Sequence, residues 1–358
     1  MTDIRSTGIV RILRNQRPAL AVAGIAAVAL AFAAGAPTAE NTLILIGIYG
    51  LIATALGMAY GQGGMMSLCH ASFAALGAYA TAIATTQWGL SPFLGLVLAV
   101  AVPAAVAYIV ARLIVRMSSL ALALATLFLG SVVSILLNQG GDFTGGYDGI
   151  GGVPPLPFVQ TPLDLAMVVW VCIIIAVVLY TNMVRSAAGR ATNTVRVDAV
   201  RAQADGDNGP RRLSALFAFS AAVAGVGGWL YAHYMTYISP ESLSLNLSLT
   251  LLLMVLVGGA RHVLGPVLGA ALLTYLQDTL PDEMQGLLLG IAVVLVLVIA
   301  PRGILGTAET AWLKLRRSRR TSGPATPKPT VLPDSPSKTG GAMPTTDPAS
   351  SFRKAVQS

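Results

Sequence analysis

The stretch from Gly63 to Thr81, GGMMSLCHASFAALGAYAT, sets one histidine, His70, among three hydroxyls, Ser67, Ser72 and Thr81, and one phenol, Tyr79. A histidine can be a base, a metal ligand or a hydrogen-bonding pivot, and each role needs a partner in reach. A membrane enzyme using His70 as base would need a nucleophile, an acid or a metal beside it, and the sequence offers no such constellation. It has no H-E-x-x-H, no G-x-S-x-G elbow and no G-x-x-x-x-G-K-[ST] phosphate loop, so it does not bind ATP in that manner. Cys69 and Cys172 stand in different apolar runs without metal-ligand spacing and read as small buried hydrophobes. No catalytic residue, metal ligand or bound cofactor is expected. On a helix, Ser67, His70, Ala74, Gly77 and Thr81 share one face at three- and four-residue steps. That small, polar face suits either a packing seam between helices or the border of a substrate pathway. The preceding YGQGGMM is glycine-rich enough to break a helix at membrane depth.

The elements that must position these residues are set by composition. Of 358 residues 55% are hydrophobic and 11% charged, whereas soluble domains carry roughly 25% charged residues. Runs such as GLLLGIAVVLVLVIA approach the length that crosses a hydrocarbon core, and they lack the alternation of a barrel. The fold class is therefore an all-α polytopic transmembrane bundle. About ten membrane segments are expected, near 18–36, 42–60, 65–86, 92–115, 119–138, 163–184, 213–235, 244–259, 263–280 and 285–300. With ten crossings the arginine clusters at 5–17, 112–116, 185–212 and 302–320 fall on one side, which the positive-inside rule makes cytoplasmic. This predicts a basic cytoplasmic N-terminus (1–17), a membrane domain (18–306) and a cytoplasmic tail (307–358). That tail is basic at first and then rich in Pro, Ser and Thr, a composition that favours disorder. Residues 1–36 read as a retained first helix or as a cleaved signal. Acidic residues are nearly absent from the spans, since Asp142, Asp164, Asp278 and Asp282 lie at segment ends. A self-powered, ion-coupled carrier usually needs a carboxylate inside the membrane, so the energy source is expected outside this chain.

Three connections carry motifs of their own. The polar stretch 185–212 is expected to form a short helix between Arg190 and Ala204, either a solvated basic loop or a docking element for a cytoplasmic partner. In 257–278, Gly258, Gly259, Gly265, Pro266 and Gly269 suit a tight turn between two packed helices. Arg261 and His262 at that turn are lipid-headgroup anchors or functional contacts. On the opposite face, 138–162 is a turn-rich outer loop with Thr144, Gly145 and Gly146.

Together these stretches resemble the permease subunits of ABC importers for branched-chain amino acids, of the LivM type, over roughly 42–306. The first stretch is similar to that family's G-Q-x-S-L-G-H-x-x-F-x-x-x-G-A-Y through Ser67, Leu68, His70, Phe73, Gly77, Ala78 and Tyr79, with Met65 and Cys69 departing from it. FTGGYDGIGGVP resembles its outer loop through Thr144, Gly145, Gly146, Gly149 and Pro154. LFAFSAAVAGVGGWLYAH and VGGARHVLGPVLGA resemble its later helices, with Arg261 where glycine is usual. The coupling segment is similar through Gly189, Arg190, Ala191, Val195, Arg196, Ala202 and Gly206, with its acidic cluster reduced to Asp198 and with Arg201 in its alanine pair. The resemblance implies a multi-pass subunit of the bacterial inner membrane. Its partners would be a second permease, two cytoplasmic ATPases that bind the ATP, an extracytoplasmic solute-binding protein and membrane lipids, but no nucleic acid. It implies a pathway bordered by Ser67, His70, Phe73, Gly77 and Thr81, and ATPase coupling through Arg190, Arg196, Asp198, Arg201 and Gly206. Related permeases carry urea, short amides or simple sugars, so the cargo stays open.

Overall fold

The structure is a computed structural model, and it describes residues 16–33, 35–198, 202, 208–280, 282–300 and 303–310. Among these, helices α1 (Arg17–Ala33), α2 (Pro37–Gly63), α3 (His70–Ala82), α4 (Pro92–Ile114), α5 (Ser119–Gln139) and α6 (Pro162–Arg185) lead into the short α7 (Ala187–Val197). Then come α8 (Gly209–Met235), α9 (Leu245–Gly258), α10 (Gly265–Thr279) and α11 (Asp282–Ile299). Two short strands, β1 (Ile150–Gly151) and β2 (Tyr237–Ile238), pair antiparallel. All helices except α7 fall on expected membrane segments. Five of them, α2, α4, α5, α6 and α8, are long and apolar enough to cross a membrane unaided. By contrast α9 and α10, at 14 and 15 residues, are shorter than a full crossing needs, whereas α3 continues without a break through a π-helical turn, Ile83–Gln87.

Local chemistry sets the helix ends. Ser91 caps α4 ahead of Pro92, and Thr161 with Asp164 forms a capping box on α6. The second expected segment starts earlier than its apolar run, at Pro37, because proline suits a first helical turn. Glu40 therefore lies in the first turn of α2, buried, and accepts the Gly35 N–H at 3.1 Å. The third segment differs in the other direction. The chain stays non-helical from Gly64 to Cys69, and α3 begins only at His70, so Ser67 precedes the helix rather than sharing its face. Gly64, at φ 68°, ends α2 in the left-handed region that glycine tolerates.

Two helices form the centre. α2, about 40 Å long for its 27 residues, is buried along most of its length and packs on α6, α8, α9 and α10. α8 packs on α2, α3 and α4. The faces turned away from this centre are apolar, with Leu113 75%, Leu120 73% and Phe128 66% exposed. Such a surface fits hydrocarbon or a partner helix, not water. Arg201 and Gly206 lie outside the described residues.

Candidate functional site

The break before α3 is held by hydroxyls from three other helices. The Leu68 N–H donates to Thr126 Oγ1 of α5 at 3.0 Å, and the Ala71 N–H donates to Ser248 Oγ of α9 at 3.2 Å. At its centre His70 Nδ1 bonds Ser67 Oγ at 3.0 Å, and Nε2 bonds Ser220 Oγ of α8 at 3.2 Å. Ser220 commits its own proton to the Phe217 carbonyl at 2.8 Å. Nε2 is then the donor, and Ser67 donates to Nδ1, a pattern that satisfies a neutral ring. The edges of Phe73 and Phe217 meet the imidazole at centroid distances of 5.7 and 5.8 Å. Ser67, His70, Phe73, Thr126 and Ser220 are fully buried. In hydrocarbon an unpaired backbone N–H costs several kcal/mol, so this hub is what lets the chain leave helical geometry between α2 and α3.

Past the hub, the small face of α3 is filled by backbone. A Cβ on Gly77 would stand 2.5 Å from the Gly225 carbonyl oxygen of α8, and one on Gly225 would stand 1.9 Å from the Ala99 carbonyl oxygen of α4. Gly228 meets Ala74 in the same way. Three helices thus touch main chain to main chain. Thr81 bonds the Gly77 carbonyl at 2.8 Å and is buried too. Ser67, His70, Phe73, Gly77 and Thr81 are therefore gathered in one region, sealed inside this chain.

The other expected clusters are compact as well. Cβ atoms on Gly258 and Gly269 would lie 1.8 Å from the carbonyl oxygens of Gly265 and Met254, so α9 and α10 form a close hairpin. Pro266 packs on Gly57 of α2, where a Cβ would meet its ring at 2.5 Å. In the loop after α5 Thr144 accepts the Gly146 N–H and donates to the Leu137 carbonyl. Gly149, at φ 73°, turns the chain into β1 against β2, and His233 Nδ1 donates to the Pro154 carbonyl at 2.8 Å. The loop between α5 and α6 is thereby fastened to the end of α8. On the arginine-rich side α7 buries Gly189, Thr192 and Val195, and Arg196 Nη1 donates to the Gly61 carbonyl near the end of α2. Arg190 Nη1 donates to the Arg185 carbonyl at 2.7 Å. Asp198 follows α7, its N–H bonded to the Thr194 carbonyl.

Sequence reading did not single out Thr126, Ser220, Ser248 or Gly225. Thr126 and Ser220 each stand alone in an apolar run, where a polar group needs a partner, whereas Ser248 alternates with Ser244, Asn246 and Thr250 and carries no such signal.

Comparison with known proteins follows this geometry. A family model described as branched-chain amino acid transport system / permease component matches residues 38–297, from the start of α2 into α11. The high-affinity branched-chain amino acid transport system permease proteins LivM of Salmonella typhimurium and Escherichia coli are each 29% identical to the chain. These matches run over 287 and 288 residues, 72% of this chain and 68% of each relative. No solved structure matches significantly.

Proposed function

Because this chain belongs to the branched-chain amino acid transport permease-component family, we propose that it is one permease subunit of an ATP-driven importer in the bacterial inner membrane. The observation that carries this is the extent of the match, which takes in the helical bundle from α2 to α11 rather than one motif. In this reading a second permease subunit completes the conduit and two cytoplasmic ATPases bind and hydrolyse ATP. An extracytoplasmic binding protein hands branched-chain amino acids to the outer side, where the loop with Thr144, Gly145 and Gly146 receives it. The carboxyl terminus is cytoplasmic.

Within that system Ser67, His70, Phe73, Gly77 and Thr81 form the wall of the pathway. Their burial makes them positioning residues: they fix where α3 stands against α8, and through that the width of the conduit. Arg190, Arg196, Asp198, Arg201 and Gly206 belong to the ATPase-coupling element. Arg196 has the clearest mechanical role, because its bond to Gly61 joins α7 to the central helix.

The test is uptake of labelled leucine into vesicles. The chain reconstituted with its second permease, ATPases and binding protein should accumulate leucine only with ATP. Accumulation by the chain alone under an ion gradient would overturn the reading. His70→Ala and Gly77→Leu should each lower uptake severalfold with the assembled complex intact, and unchanged uptake in both would remove the wall assignment. A binding protein that selects urea or a short amide would move the cargo and leave the rest standing.

A further inference from the structure

At the arginine-rich end of the bundle a cleft of about 570 Å³ opens between the last turn of α2, the end of α6, helix α7 and the turn joining α9 to α10. Arg190, Arg196 and Arg261 line it, with Gln62 and Asn193. Among the described residues no acidic side chain lines it. Among the described residues the recorded bonds of Arg190 and Arg196 go to backbone carbonyls, which carry no full charge. Glu309 stands in an adjoining cleft that Arg261 also lines, and there it pairs with His262 at 3.4 Å. Three guanidinium groups thus share one concavity that no carboxylate lines among the described residues, and each keeps donors beyond the bonds it makes.

The frame around these groups is fixed. Tyr180 of α6 donates to the Gly57 carbonyl at 2.8 Å, clasping α2 to α6. A Cβ on Gly61 would stand 2.4 Å from the Ala260 carbonyl oxygen, so the turn that carries Arg261 is pressed on α2. A Cβ on Gly189 would stand 1.9 Å from the Met183 carbonyl oxygen, which presses α7 on α6. Planar guanidinium groups held at set positions match the oxygens of a phosphate better than any neutral group. Two helices long and apolar enough to cross a membrane, α2 and α6, end at this cleft, and the ends of such helices come close to lipid headgroups.

We propose that this cleft binds the phosphate of an anionic phospholipid headgroup. The lipid phosphate supplies a counter-charge to these arginines and braces α7 against α2. The site stands on its own geometry, so it does not depend on what the bundle transports.

The experiment uses the full-length chain in a non-ionic detergent, with lipid adducts counted by native mass spectrometry. Dihexanoyl phosphatidylglycerol should bind one per chain, about thirty-fold more tightly than dihexanoyl phosphatidylcholine, from two arginines near a membrane surface. The double variant R190Q/R261Q should lose that preference, while R112Q, which removes a charge at the end of α4, should keep it. Should the double variant unfold by circular dichroism, R190Q and R261Q are read singly, each with about a fivefold loss. Equal affinity for the two lipids, or a preference that survives removal of both arginines, overturns the proposal. So does displacement of the phosphatidylglycerol by millimolar inorganic phosphate, which would make a soluble anion the ligand.

Discussion

His70 shows how a buried polar residue is made safe in a membrane. Both ring nitrogens meet hydroxyls, and Ser220 is reached from 150 positions away. Ser220→Ala leaves the Nε2 proton without an acceptor. A buried orphan donor costs about 1–3 kcal/mol in water-soluble cores, but interhelical hydrogen bonds in bilayers average nearer 0.6. We therefore expect a loss of about 1 kcal/mol, read as a lowered unfolding midpoint in detergent. Ser72→Ala, outside this network, should leave the midpoint nearly unchanged, and equal effects would show the network to be incidental. The sequence made His70 and Ser67 visible, because they sit close together in a run that is otherwise small and apolar. It hid Ser220, Thr126 and Ser248, because nothing local tells which distant helix will supply a hydroxyl to a broken backbone.

At the scale of elements, apolar runs and caps were legible and helix restarts were not. Proline and serine at 91–92, and the Thr161–Asp164 box, mark starts that the structure keeps. The glycine-rich run after Tyr60 predicted a break, but where α3 resumes depends on partners from α5, α8 and α9, which no periodicity reports. Close helix contact was legible as small residues, though not its pairing. Gly225 against Ala99 and Gly24 against open space look alike in sequence, yet a Cβ at the first would stand 1.9 Å from a carbonyl and at the second would meet nothing within 4 Å. Gly225→Ala should destabilise the bundle by about 2 kcal/mol or more through forced backbone separation. Gly24→Ala should be neutral or slightly stabilising, because alanine favours the helix. Thermal melts of the two purified variants side by side decide this, and equal shifts would contradict the packing.

For the whole molecule, the sequence conveyed class and family because both rest on long, redundant patterns. It could not convey which crossings are full ones: five helices are long and apolar enough by themselves, while α9 and α10 are short pieces packed on α2. The bond from Arg196 to Gly61 predicts a system-level effect. Arg196→Gln should lower leucine uptake by the assembled complex about tenfold, the scale of one charge-assisted hydrogen bond, while ATP hydrolysis by the ATPase subunits continues. Undiminished uptake would show that α7 works without its tie to α2. One last consequence follows from the contact in which Gly77, Gly225 and Ala99 meet through their main chains. Surfaces that mesh through side chains can slip by swapping rotamers, but bare peptide planes have no such gear to shift. Helices α3, α4 and α8 must then travel as a single slab, and any rocking during a turnover has to be absorbed at the hinges around them.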